Sequence, residues 1–204
     1  MATVAAGWAG PPAPAVRLLP TVLPHADLLA GDGQPPGVPF GIAEDDLGPV
    51  AVDFAREPHF LVFGDTSAGK SNLLRVLADG IVRRHSPAQA RIIIVDYRRS
   101  LLEAVSGEHL IGYAPSAVLP HSRDIGLHVV IARASGGAGR AMFEPVLQRM
   151  RDLGAPGLLL SGSRDEGQLL GNAAPQQMPA GRGNVVTRGQ PPRLVQVALL
   201  PPAS

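Results

Sequence analysis

The residues best suited to chemistry form one contiguous run, Gly64-Asp65-Thr66-Ser67-Ala68-Gly69-Lys70-Ser71, which fits the phosphate-loop pattern G-x-x-x-x-G-K-[ST]. Lys70 is the only lysine of the 204 residues, and every other basic residue is an arginine. The two glycines let the backbone come close to phosphate oxygens in conformations a Cβ would forbid. Successive amides from Gly64 through Asn72 then make a nest at a helix start, where unpaired donors and the helix dipole favour an anion. On this reading Lys70 is the catalytic cation that bridges the β- and γ-phosphates of ATP, and the Ser71 hydroxyl is a ligand of Mg2+.

Hydrolysis would also need an acid at the end of an apolar strand, to hold the metal and orient water. Asp96, after Ile92-Ile93-Ile94-Val95, is the best local match. The same position is equally read as the acid capping the Tyr97-Arg98-Arg99 turn. Asp165-Glu166 lies beyond Leu158-Leu159-Leu160 but is separated from it by Ser161 to Arg164, and it reads as a helix-start acid. Asp124 precedes a strand instead of ending one. Arg133, at the end of Leu127–Ala132, could sense the γ-phosphate or serve as a structural arginine. Arg182, between two glycines, could approach the adenine or solvate a hairpin. The six histidines have no metal spacing and read as structural.

The flanking elements pass the context test for such a loop. An apolar strand, Phe60–Phe63, precedes it. A helix from about 69 to 85 follows, with Leu73, Leu74, Leu77, Ile81 and Val82 at helical spacing. Strands are expected at 38–42, 50–54, 92–95, 127–132, 158–160, 185–187 and 194–198. One further helix is expected over 141–153, with Met142, Val146, Leu147 and Met150 inward and Gly154 as its cap. The continuous apolar run at 92–95 predicts a strand covered on both faces. The order βαβ…βαβ with a closing hairpin predicts an α/β fold, a mainly parallel sheet with helices on both faces. Residues 1–37, rich in Ala, Pro and Gly, read as a linker and docking segment carrying Trp8 as a packing anchor; 38–204 form the domain.

Composition narrows the classes. Formal net charge of +1 argues against a protein that grips many nucleic-acid phosphates. No apolar run approaches the roughly 20 residues of a membrane helix. Zero cysteines exclude disulfides and thiolate metal sites, and a cytoplasmic setting is the expectation.

Beyond the loop, several stretches agree in order with one family. Glu57-Pro58-His59-Phe60-Leu61-Val62-Phe63-Gly64 runs into the loop and on to Asn72-Leu73-Leu74-Arg75. Arg91 to Arg99, Gly112-Tyr113-Ala114, Arg123 to Gly137, Phe143 to Val146, Ser161-Gly162-Ser163, Asp165-Glu166-Gly167 and Pro179 to Gly183 follow. The chain resembles the FtsK/SpoIIIE group of P-loop ATPases (a RecA-like fold), and within it the C-terminal ATPase module of EccC, the motor of type VII (ESX) secretion. The resemblance implies neighbouring ATPase modules as partners and a membrane-anchored parent whose ATPase part is cytoplasmic. It further implies docking of the C-terminal signal of WXG-type substrates, with weak or no hydrolysis. An FtsK-like DNA translocase is the alternative.

The resemblance has a hole. Relatives carry helices and an acid-tipped strand of the Walker B type between the Gly-Tyr-Ala stretch and the Arg-Asp-Ile-Gly-Leu stretch. Here Ala114-Pro115-Ser116-Ala117-Val118-Leu119-Pro120-His121 leads directly to Ser122-Arg123-Asp124. Either the sequence is joined across a segment that the whole protein contains, or the protein lacks it. The first reading predicts a spatial jump near 114–121.

Overall fold

A computed structural model describes residues 18–30, 33, 35–114 and 126–202. Trp8, most of the Pro-rich linker, Asp124 and the expected jump near 114–121 lie outside the described residues, apart from Ala114.

The chain folds as β1 (Leu23–Pro24), α1 (His25–Ala30), β2 (Val38–Ala43), β3 (Pro49–Val52), β4 (His59–Gly64) and α2 (Lys70–Arg84). There follow β5 (Ile92–Val95), β6 (Leu110–Ala114), β7 (Val129–Ala134), α3 (Ala138–Ala141), α4 (Pro145–Asp152), β8 (Gly157–Leu160), β9 (Arg182–Val186) and β10 (Arg193–Leu199). The main sheet has the order β3-β2-β10-β9-β8-β4-β7, with β1 added beside β10.

The α/β class stands, but the mainly parallel expectation needs correction. Only β8–β4, β4–β7 and β1–β10 pair in parallel in this sheet. The pairs β2–β3, β2–β10, β9–β10 and β8–β9 are antiparallel. The reason is connectivity. For β2–β3 and β9–β10 the short connections before β3 and β10 reverse the chain, since only a crossover of a dozen or more residues can return it in parallel.

Alternation along the strands sorts two cores. Phe60 and Val62 of β4 face one way, with Leu73, Val76 and Leu77 of α2 and with Phe40, Val195 and Val197. Leu61 and Phe63 face the other way, with Met142, Leu147 and Met150. The segment expected as one helix over 141–153 is two. Pro145 has no amide to continue a helix but fits the first turn of a new one. Leu147 and Met150 point inward as expected, whereas Val146 is exposed. Gly154, at φ 74, follows the cap of α4.

Strand β5 departs most from expectation. It pairs only with β6, in parallel, as a separate two-stranded sheet. Ile94 is buried against Ala78, Leu101 and Val105, but Ile93 is 48% exposed, so the strand is covered on one face. Among the described residues, no strand joins the outer edge of β7 to β5.

Candidate functional site

The phosphate loop sits between the buried strand β4 and α2. Gly64 is required by packing, because a Cβ there would lie 2.8 Å from Leu160 Cβ and 3.2 Å from Ala68 Cβ. Gly69 is required by conformation: its φ is 109, and its Cα passes against the backbone of Gly181. Ser67 holds φ 62, a left-handed conformation that costs a non-glycine about 1 kcal/mol. The surroundings hold the bend. The Asp65 amide donates to Ser161 O at 2.7 Å, the Gly181 amide to Ala68 O at 3.0 Å, and the buried Ser135 hydroxyl to the Asp65 carboxylate.

Among the described residues, the amides of Thr66, Ser67, Gly69, Lys70, Ser71 and Asn72 donate to no protein group. Unpaired amides gathered at the start of a 15-residue helix are the donor set an anion would satisfy. Lys70 Nζ donates to Gly64 O and Asp65 O, each at 2.7 Å. An ammonium has three protons, so one remains for a ligand. Burial lowers the pKa of this ammonium, the nearby Arg98 guanidinium lowers it further, and Asp65 offsets part of the effect. The donors therefore fit a polyphosphate. Ser71 lies where a metal ligand is expected, and its hydroxyl donates to Ser100 Oγ at 3.0 Å.

The other sequence candidates divide sharply. Asp96 is buried and accepts from the Leu101 amide at 2.7 Å, the Arg98 amide at 3.0 Å and the Tyr113 hydroxyl at 3.0 Å. Burial raises its pKa, but the Leu101 and Arg98 amides and the Tyr113 hydroxyl outweigh that and hold it below the ordinary carboxylate value. The turn-capping reading describes its geometry here. Its link to Ser71 runs through Ser100, whose hydroxyl lies 3.5 Å from Asp96 Oδ2.

Arg133 pairs with Phe63 in register, and strand alternation puts it on the side of Val129 and Ile131, away from α2. There it forms an ion pair with Glu144 at 2.5 Å. Arg182 donates to Pro20 O at 2.8 Å, Leu19 O at 3.2 Å and Gln196 Oε1 at 3.2 Å, so it clamps the segment before β1. The Asn72 side chain holds the end of β10, donating to Ala198 O at 2.7 Å and accepting from the Leu200 amide at 2.9 Å; only its main-chain amide faces the ligand role. Asp165 lies in the first turn of a short helix over Arg164–Glu166 capped by Ser163, as a helix-start acid would. No group of three or more His, Asp or Glu able to hold a metal occurs among the described residues. Sequence reasoning missed Ser100 and Arg98. Their only signal was nearness in sequence to Asp96.

The FtsK/SpoIIIE family model matches residues 36–112. The ESX secretion system protein EccC of Thermomonospora curvata is 41% identical, over 96% of this chain and 20% of its own length. That alignment runs over 257 positions against 204 residues here, so the relative carries residues with no counterpart in this chain. The solved cytoplasmic domain of the T. curvata type VII secretion ATPase EccC superposes with a TM-score of 0.82 at 40% identity, over 98% of this chain and 30% of that one. A second structure, T. curvata EccC (ATPases 2 and 3) in complex with a signal sequence peptide, superposes with 0.84 at 40% identity, over 98% and 47%. The chain thus spans about a fifth of the curated relative it matches. Loop, fold and similarity agree: this chain belongs to the FtsK/SpoIIIE family, with its likeness to the EccC ATPases extending over nearly all its described length.

Proposed function

We propose that this chain is an ATP-binding module of a type VII secretion motor that docks substrate signal peptides and turns over ATP slowly or not at all. The observation that carries the nucleotide reading is the set of unpaired amides around Lys70 at the start of α2. Mg2+ bound with ATP would take Ser71 as a ligand and neutralise phosphate charge. Gly64 and Gly69 shape the cradle, the amides from Thr66 to Asn72 hold the phosphates, and Lys70 bridges the outer two.

Weak turnover rests on what the site lacks among the described residues: no free carboxylate faces Ser71, since Asp96 is committed to its own turn and Asp65 to Ser135. The additional residues of the relative supply the acid-tipped strand on this reading, between the edges of β7 and β5. The longer alignment, the end of the family match at residue 112 and the two unpaired edges support it.

For the peptide, a cavity of about 730 Å³ is lined by Val22, Pro24, Leu29, Leu199 and Pro201, with His25 and Arg83 beside them. An apolar groove of this kind takes a peptide's apolar side chains. The relative solved with a signal sequence peptide supports a peptide as the class of ligand. Other EccC-type modules, a membrane-anchored parent and a cytoplasmic setting complete the proposal.

Calorimetry with Mg·ATP, alongside phosphate release, tests it. Lys70→Ala is expected to weaken binding at least a hundredfold, the order of magnitude for removing one partner of a half-buried charge contact, about 3 kcal/mol. Release should be slow in both proteins. Fast release by the wild type would sink the docking-module reading. Leu199→Asp should abolish peptide binding and leave Mg·ATP binding intact; unchanged peptide affinity would remove the groove from the proposal.

A further inference from the structure

We propose that Arg98 is a second cation of the phosphate site and contacts the terminal phosphate of a bound nucleoside triphosphate. The inference rests on the nucleotide reading above and adds to it a residue outside the phosphate-loop motif.

The turn that carries Arg98 is firmly built. The Asp96 carboxylate accepts from the amides of Arg98 and Leu101 and from the Tyr113 hydroxyl. Arg99, next in the chain, is held at φ 54, a conformation that costs a non-glycine residue and persists only where its surroundings fix it. The turn is also tied to the start of α2. Ser71 Oγ donates to Ser100 Oγ at 3.0 Å, and Arg75 Nη1 donates to Ser100 O at 3.2 Å. Arg98 is thereby carried to the end of α2 where Lys70 and Ser71 lie.

Charge completes the argument. The Arg98 side chain is exposed and has no acidic or carbonyl partner among the described residues. The Ser100–Ser71 contact brings the turn that carries it beside the residue that follows Lys70. Two cations brought to one end of α2 repel each other, and an anion between them would turn that repulsion into attraction. The turn touches Ser71, the residue of the loop that serves the metal between the outer phosphates. It therefore borders the terminal-phosphate side of the site. A guanidinium can give two parallel hydrogen bonds to phosphate oxygens, which suits it to that end.

The test is calorimetry of the wild type, Arg98→Ala, Arg98→Lys and Arg99→Ala with Mg·ATP and with Mg·ADP. Arg98→Ala is expected to weaken Mg·ATP about tenfold, the usual loss for one charge-assisted contact, and Mg·ADP less than about twofold. Arg98→Lys should recover part of the loss, and Arg99→Ala should resemble the wild type. An unchanged ratio of ATP to ADP affinity in Arg98→Ala, with the wild type binding both, overturns the Arg98 assignment and leaves the nucleotide reading standing. A wild type that binds neither nucleotide overturns both.

Discussion

On one side of the phosphate loop, strand β4 lies between β7 and β8, and Phe60 to Phe63 are at most 2% exposed. On the other side, β5 and β6 form a two-stranded sheet that leaves Ile93 and Ile111 about half exposed and leans on α2 through Ala78, Leu74 and Val82. Both sides send residues to the same end of α2, yet only the first is a finished layer. The difference teaches that the phosphate-loop bend and the turn that borders it rest on supports of unequal strength. The loop amides and Lys70 belong to the finished side. Asp96, Arg98 and Ser100 belong to the other.

The largest expected effect breaks the finished side. Phe63→Ala removes a fully buried ring and should cost about 3–5 kcal/mol in denaturant unfolding. Ile94→Ala, in the smaller cluster, should cost about 2 kcal/mol. Hydrogen exchange should locate that loss in β5 and β6, with β4 still protected. Equal exchange in β4 and β5 would show that the two sides unfold as one unit and erase the contrast.

Asp96 sharpens the comparison. Asn cannot accept from all the donors around this carboxylate, so Asp96→Asn should destabilise by about 1–2 kcal/mol at neutral pH. The pKa of the carboxyl is lowered on folding. Its stabilisation is therefore complete above the ordinary value of 3.8 and is lost as pH falls through the folded value. Unfolding curves of wild type and variant should converge below about pH 3.8. A gap that persists there would mean that shape, not charge, holds the turn.

The smallest effect lies far from the loop. Burial lowers the pKa of His25, and Arg83 adds to the lowering, while Asp79, 3.7 Å away, opposes it. His59 is lowered as well, by burial and by His128, with the Pro58 carbonyl opposing them. Both take up protons less readily folded than unfolded. Stability should be full above about pH 6.5 and decline as pH falls below it. Thermal unfolding at pH 7.5 and 5.5 should show the decline, and His25→Gln should reduce it and leave the share of His59. A variant with the full wild-type decline would clear His25 of any part in it.

What could be read in advance was whatever is local. The phosphate loop is eight consecutive residues, and its bend follows from glycines, a strand before and a helix after, so the bend was legible, though not the Ser161, Gly181 and Ser135 contacts that hold it. The helix at 70–84 was legible from spacing alone. Pro145 was a visible breaker that the apolar spacing of Met142, Val146 and Leu147 concealed. The run Ile92–Val95 looked like a central strand because its composition is that of one, but burial depends on which neighbours arrive, and here only β6 does.

Single side chains at long range were not legible. Asn72 turns to Ala198 and Leu200, Arg133 to Glu144, Arg182 to Pro20, and Ser71 to Ser100. Sequence by itself determined the kind of site, since the conformation of a short Gly-rich bend and the identity of its one lysine are properties of consecutive residues. Tertiary structure alone decided which polar groups stay open for a ligand and which are already satisfied, because a hydrogen bond between residues 72 and 198 exists only once the sheet has brought them together.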